Sequence, residues 1–168
     1  MRHSEFPLQI CSVARSLEVV GEWWTLLIVR EAFFGTRRFT DFEGNLGIAK
    51  NVLSERLAKL VDAGVMERTP VVGRGNPHLY TLTAQGRELL PVVVALMQWG
   101  DRWIHGRKRA PVRVLERRSG KEIAQIEVTS PEGKPLSLDD VVVAPGPGAN
   151  DAVRRRFGPH ERYGGAAP

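Results

Sequence analysis

Ala49-Lys50-Asn51-Val52-Leu53-Ser54-Glu55-Arg56-Leu57-Ala58-Lys59-Leu60-Val61-Asp62-Ala63, followed by Gly64, decides the fold. At 100° per residue Val52, Leu53, Leu57 and Leu60 fall on one arc, and Lys50, Asn51, Ser54, Glu55, Ala58 and Lys59 on the other. The spacing predicts a helix with one core face and one polar, short-chained face. Gly64 stands where a helix end needs a left-handed residue.

Upstream, Cys11 to Val20 and Trp24 to Phe34 read as helices hinged at Gly21. The second is apolar almost all round and is expected at the centre of the core. Gly35-Thr36 breaks it, a short helix is expected around Arg38 to Glu43, and Gly44-Asn45-Leu46-Gly47 reads as a turn. Downstream, Val65 to Val71 and His78 to Leu82 alternate as strands around a Val72-Gly73-Arg74-Gly75-Asn76-Pro77 tip. Thr83 suits an N-cap for a helix from Ala84 to about His105, bent at Pro91. The order is that of a winged helix-turn-helix, mainly α with a β-hairpin wing, assigned to residues 1–109.

Past Ala110, Val112 to Glu116, Ile123 to Val128 and Val141 to Val143 suggest a small β module over 110–144, with turns at Ser119-Gly120 and Pro131-Glu132-Gly133. Residues 145–168, rich in Pro, Gly and Ala, read as a tail.

The 168 residues suffice for one domain with a small appendage. The longest apolar run, Leu89 to Met97, is interrupted by Pro91 and too short to span a bilayer. The N-terminal residues lack the apolar stretch of a secretory signal, so a cytoplasmic, nucleoid-associated location is expected. A single cysteine excludes an intrachain disulfide or a four-cysteine zinc site. There is no Gly-x-Ser-x-Gly, no phosphate-binding Walker loop, and the four histidines are scattered, so neither an enzyme nor a cofactor or metal is expected.

The net charge of +5 points weakly to a polyanion, and most of the excess lies before Ala110, where 15 of the 24 basic and 11 of the 19 acidic residues fall. A helix thin on its polar side fits the ~12 Å major groove of double-stranded DNA. Lys50, Asn51, Ser54 and Glu55 are its candidates for base edges, and Lys59 for the backbone. Arg74, between two glycines at the hairpin tip, suits a narrow minor groove, and Arg37 and Arg38 suit phosphates. A second reading stays open: a dimeric small-molecule-binding or interaction protein on the same scaffold that has lost DNA affinity.

Taken in order, Cys11-Ser12-Val13-Ala14-Arg15, Trp24-Thr25-Leu26-Leu27-Ile28-Val29-Arg30-Glu31, Gly35 to Thr40, Lys50 to Leu57, Gly64-Val65-Met66-Glu67-Arg68 and Tyr80 to Leu89 resemble the HxlR-type transcriptional regulators, winged-helix relatives of MarR proteins. The resemblance covers about residues 10–105. It departs at Ala49, where the family usually has a Ser cap, and at Trp23, where it usually has Lys.

The resemblance implies a homodimeric DNA-binding repressor or activator on a pseudo-palindromic operator, with residues 49–63 as recognition helix and the first and last helices as dimer seam. Leu90, Val93, Val94, Met97 and Ile104 form an apolar stripe suited to that seam. Trp23, Trp24, Phe33, Phe34, Trp99 and Trp103 are candidates for lining an aromatic effector pocket. Cys11 matches a position at which several members sense electrophiles or thiol-reactive compounds. The C-terminal module resembles a zinc ribbon found in some members, but Ser119, Thr129 and Glu132 stand where its ligands would be, so a metal-free module is expected.

Overall fold

The computed structural model describes residues 11–72, 77–106 and 109–158. It is mainly helical with one hairpin: α1 (Ser12–Val20), α2 (Trp23–Phe33), α3 (Phe39–Leu46), α4 (Lys50–Asp62), β1 (Met66–Pro70), β2 (His78–Leu82), α5 (Ala84–Arg87), α6 (Leu90–Gly100) and α7 (Asp151–Phe157). A π-helical turn, Asp101–His105, continues α6, and a 3₁₀ turn spans Leu138–Asp140. Among the described residues no helix is long and apolar enough to cross a membrane.

The core gathers where apolar arcs converge. Ile28 and Val29 of α2, Phe42 of α3, and Leu53, Leu57 and Leu60 of α4 are buried together with Ile48, Val65, Met66, Leu82 and Val93. The central place expected for α2 is therefore real for its Ile28-Val29 side, but not all round: Trp23, in its first turn, is 90% exposed. β1 and β2 pair antiparallel in the register Met66↔Leu82 to Pro70↔His78, and Thr81 Oγ1 donates to Glu67 Oε1 across the pair at 2.8 Å.

Four local expectations need correction. The short helix does not end at Glu43 but runs to Leu46, and only Gly47, at φ +62°, turns the chain. The span from Ala84 is not one bent helix: it stops after Arg87 and restarts at Leu90, with Pro91 in the first turn of α6. A proline there has no intrahelical N–H to lose, whereas mid-helix it would orphan a carbonyl and clash with the preceding turn.

The third concerns the C-terminal module, where the expected strands shrink to two isolated bridges, Leu115↔Glu122 and Thr129↔Pro135. The turns expected at Gly120 and Gly133 are present, at φ +68° and +80°. Backbone groups of 124–126 that a neighbouring strand would have used are instead satisfied by one side chain. Gln98 Nε2 donates to the Ala124 carbonyl at 3.0 Å, and Ile126 N–H donates to Gln98 Oε1 at 2.7 Å. That amide docks the module on α6. Fourth, the tail is helical at Asp151–Phe157, because Asn150 Oδ1 accepts from Val153 N–H at 3.0 Å and three arginines lie toward the C-terminal end, where the helix dipole favours cations.

The wing returns to the core through one tight joint. Thr83 Oγ1 donates to the Gly64 carbonyl at 2.6 Å and accepts from Gly86 N–H at 3.1 Å, which brings α5 against Val65. A Cβ on Gly86 would lie 2.1 Å from the Val65 carbonyl oxygen. Gly86→Ala should therefore destabilise the fold by about 1–3 kcal/mol, as overpacking against backbone does. Urea unfolding followed by circular dichroism checks this, and an unchanged midpoint would contradict the close approach.

Candidate nucleic-acid interface

The helix-turn-helix is set by what Gly47-Ile48-Ala49 can do. Gly47 takes the left-handed conformation, Ile48 drops into the core, and Ala49 is extended at φ −64°, ψ 138° as the residue before α4. Ala49 offers no side-chain cap, so the departure from a Ser cap has a physical effect: the first amides of α4 have no hydroxyl partner.

α4 is turned as its period dictates. Leu53, Leu57 and Leu60 are buried and Val52 is half-buried, while Lys50, Asn51, Ser54, Glu55, Ala58 and Lys59 are all exposed. Six neighbouring polar or small residues on one helix thus face outward together. Their charges are ordered among themselves. Glu55 accepts from Lys59 Nζ at 3.2 Å and from Arg56 at 3.0 Å. The Lys59 ammonium, and then the Arg56 guanidinium, hold the Glu55 carboxyl below the usual carboxylate range. Lys50 Nζ lies 3.9 Å from Glu43 of α3.

Arg56 is a residue the sequence reading passed over. Only 13% exposed in its side chain, it donates to Glu22 Oε2 at 3.1 Å and so ties α4 to the start of α2 while fixing Glu55. An (i, i+34) ion pair leaves no periodic signal. Glu31, also missed, is buried and takes three donors: Arg30 donates to Oε1 at 2.8 Å, and Thr36 and Asn45 donate to Oε2 at 3.2 and 3.1 Å. It joins α2 to α3.

Arg37 and Arg38 are exposed just before α3, with Arg38 as its N-cap residue. They run beside the wing as a one-bridge strand: Arg38 pairs with Leu79, and Tyr80 N–H donates to the Arg37 carbonyl at 2.8 Å. Both arginines therefore stand between α3 and the hairpin. Arg74 lies outside the described residues.

The remaining candidates separate. Of the stripe proposed for a dimer seam, Val93 and Val94 are buried in the chain's own core and Met97 is half-buried against it, while Leu90 and Ile104 are exposed. The exposed apolar stripe is one residue out of phase: Val92, Leu96, Trp99 and Trp103. Of the aromatic set, Trp24 and Phe33 pack on the core, and Trp23, Trp99 and Trp103 face outward. Phe34 alone of the six lines a described cavity, between α2 and α6. Cys11 is exposed at the start of α1. The first-turn amides of Ala14 and Val13, and more weakly the Arg156 guanidinium of α7, lower its thiol pKa. In the module, Ser119 Oγ bonds Glu116 and accepts from Lys121 N–H at 3.3 Å, so its hydroxyl is used locally. Among the described residues no group of three His, Cys, Asp or Glu is placed to hold a metal.

A helix-turn-helix with a hairpin wing, presenting the second helix of the pair outward by its polar face, defines a winged helix-turn-helix protein. Residues 19–108 match the model of the HxlR-like helix-turn-helix family. A helix-turn-helix-type transcriptional regulator of Mycobacterium tuberculosis is 42% identical over 137 residues, 82% of this chain and 87% of the relative. The crystal structure of PA1607, described as a transcription factor, is 42% identical with a TM-score of 0.75, over 82% of this chain and 96% of that one. The reduced redox regulator HypR matches at 27% identity and a TM-score of 0.51, over 54% of this chain and 91% of its own. The chain belongs to the HxlR-like helix-turn-helix family and is a transcriptional regulator of helix-turn-helix type, not an enzyme. The two fuller matches reach well beyond the winged domain, so the C-terminal module is shared with those relatives.

The thiol carries a prediction. With its pKa lowered, Cys11 should be alkylated by iodoacetamide with a rate midpoint below the ~8.5 of a free cysteine. Arg156→Ala should move that midpoint upward, since it removes a cation that favours the thiolate. A midpoint at or above the free-cysteine value would contradict the placement of the first-turn amides.

Proposed function

We propose that the protein is a dimeric, sequence-specific DNA-binding regulator, acting as a repressor, in which α4 reads the major groove of a pseudo-palindromic operator. The observation that carries this reading is the outward face of α4, where Lys50, Asn51, Ser54 and Glu55 are exposed together while Leu53, Leu57 and Leu60 hold the helix from behind. Asn51 suits a bidentate contact to adenine, and Lys50 suits guanine or a phosphate. Glu55, ionised and held by Arg56 and Lys59, suits an amino group of cytosine. Lys59 and the Arg37-Arg38 pair beside the wing suit phosphates, and the uncapped amides at the start of α4 add donors for the same strand.

The dimer reading is supported by the apolar side chains left open on the first and last helices of the winged domain. Val13 and Leu17 of α1 are exposed, as are Val92, Leu96 and Trp99 of α6 and Trp103 beyond it. A stripe at i, i+4, i+7 and i+11 is the spacing by which two helices pack along their length.

A thiol-responsive reading is favoured by Cys11 specifically. It is exposed, its pKa is lowered, and a relative of known structure is a redox regulator. With one cysteine in the chain, its thiolate would attack an external disulfide, expelling one thiolate and leaving a mixed disulfide, which the Cys11 thiolate of a second copy would attack in turn, expelling the remaining small thiolate and leaving an intersubunit disulfide.

A binding-site selection tests the DNA reading. Asn51→Ala should change which sequences are preferred, at about 1–3 kcal/mol for one base pair, while Arg38→Ala should weaken all sequences alike and reduce the salt slope by about 1. The enriched sites should be pseudo-palindromes with half-sites about one helical turn, roughly 34 Å, apart. The same uniform loss in both variants would refute the division between base reading and backbone contact. Sedimentation of a stable monomer at micromolar concentration would refute the dimer.

A further inference from the structure

A half-open cavity of about 360 Å³ lies at the seam between α2, the end of α6 and the first residues of the C-terminal module. That is within the range of small-molecule sites. Its walls differ. Phe34, Leu96, Met97 and Val112 supply hydrocarbon, while Arg30, Glu31, Asp101 and His105 supply charge and polarity.

The charges do not cancel evenly. Arg30 pairs with Glu31 at 2.8 Å and lies 5.8 Å from the centre of the Phe34 ring, its Nε buried without an acceptor among the described residues, while Glu31 also accepts from Thr36 and Asn45. The Asp101 carboxylate, half-buried on the π-helical turn, has no hydrogen-bond or ionic partner among the described residues. π-Helical turns are rare and often mark functional sites, because the wide turn re-aims the side chains around it. Here both Asp101 and His105 line the cavity.

Gly100 is a second, independent sign. It lines the cavity with ordinary helical angles, φ −62° and ψ −42°, so its backbone does not require glycine. A Cβ there would meet nothing within 4 Å, so packing does not require glycine either. Within a helix glycine costs about 1 kcal/mol relative to alanine. What the missing side chain does is leave open the space beside Asp101.

We propose that this cavity binds a small lipophilic amine, its ammonium paired with Asp101 and its hydrocarbon body against Phe34, Met97 and Val112. Such a ligand would touch the module through Val112 and α2 through Phe34. Glu31 of α2 in turn holds α3, the helix that leads into α4. The site is separate from the DNA-reading face, and its occupancy is measured without DNA, so failure here leaves that reading intact.

Calorimetric titration of the full chain with 2-phenylethylammonium tests the proposal, with 2-phenylethanol and phenylacetate as neutral and anionic counterparts of similar shape. The ammonium should bind at least about tenfold more tightly than either, a difference of about 1.4 kcal/mol. Asp101→Asn should erase that preference, and Gly100→Leu, which fills the cavity from a permissive helical position, should abolish binding of all three. Should the asparagine variant not fold, the leucine variant still decides. Equal binding of the three compounds, a cation preference that survives Asp101→Asn, unchanged binding by Gly100→Leu, or no binding of any compound at millimolar concentration would overturn it.

Discussion

The packing of Leu53, Leu57 and Leu60 against Ile28 and Val29 is the constraint on which the rest of the molecule depends. A helix can present only one face outward once the opposite arc is committed to a core. Three leucines at i, i+4 and i+7 leave no alternative rotation that does not expose at least one of them, at roughly 1.5–3 kcal/mol each. The outward set, Lys50, Asn51, Ser54, Glu55, Ala58 and Lys59, is the complement of that choice. The functional face is thus specified by the hydrophobic one.

Around this packing, polar ties fix what hydrophobicity leaves free. Apolar contact sets which sides meet but tolerates sliding. Arg56 to Glu22 and the Glu31 cluster with Arg30, Thr36 and Asn45 set the positions of α4 and α3 relative to α2. A buried carboxylate with three donors is a geometric demand more than a source of stability. Satisfied it is near break-even, whereas removing one partner leaves a charge exposed to low dielectric. That asymmetry makes the angle between the two helices of the motif stiff, as the proposed reading of a DNA groove requires.

How much could be read from the chain follows from the range of each interaction. α4 was legible because a short helix with a mixed composition has a definite apolar arc, and the hairpin because a Gly/Pro/Asn tip separates two alternating runs. The phase of α6 was not. Leu89 to Met97 is apolar throughout, so every rotation of that helix looks equally good until Val93 and Val94 are seen against the core and Val92, Leu96 and Trp99 in the open. The bridge that places Arg38 beside Leu79 is a single pair, too short for any period to announce. Arg56, Glu31 and Gln98 act across 34, 14 and 28 positions to Glu22, Asn45 and Ile126, and partner choice at such separations is a property of the assembled fold. In the module, alternation predicts strands but does not say where the backbone hydrogen bonds go, and those of 124–126 go to Gln98.

Residues 110–149 bury no side chain of their own, although Leu136, Ile123 and Val114 are partly covered, so the segment lacks the core that would let it stand apart. Its order comes from local turns and from Gln98, whose amide imitates a neighbouring strand by offering one donor and one acceptor to Ala124 and Ile126. The same helix therefore carries three commitments around its circumference: Val93 and Val94 to the core, Gln98 to the module, and Val92, Leu96 and Trp99 to what lies outside the chain. Because these share one rigid helix, displacement of the module cannot be confined to the module. A shift at Gln98 rotates or translates the exposed stripe as well, and the core residues at its inner face resist both. Among the described residues, α6 is thus the element that touches core, module and exposed stripe together.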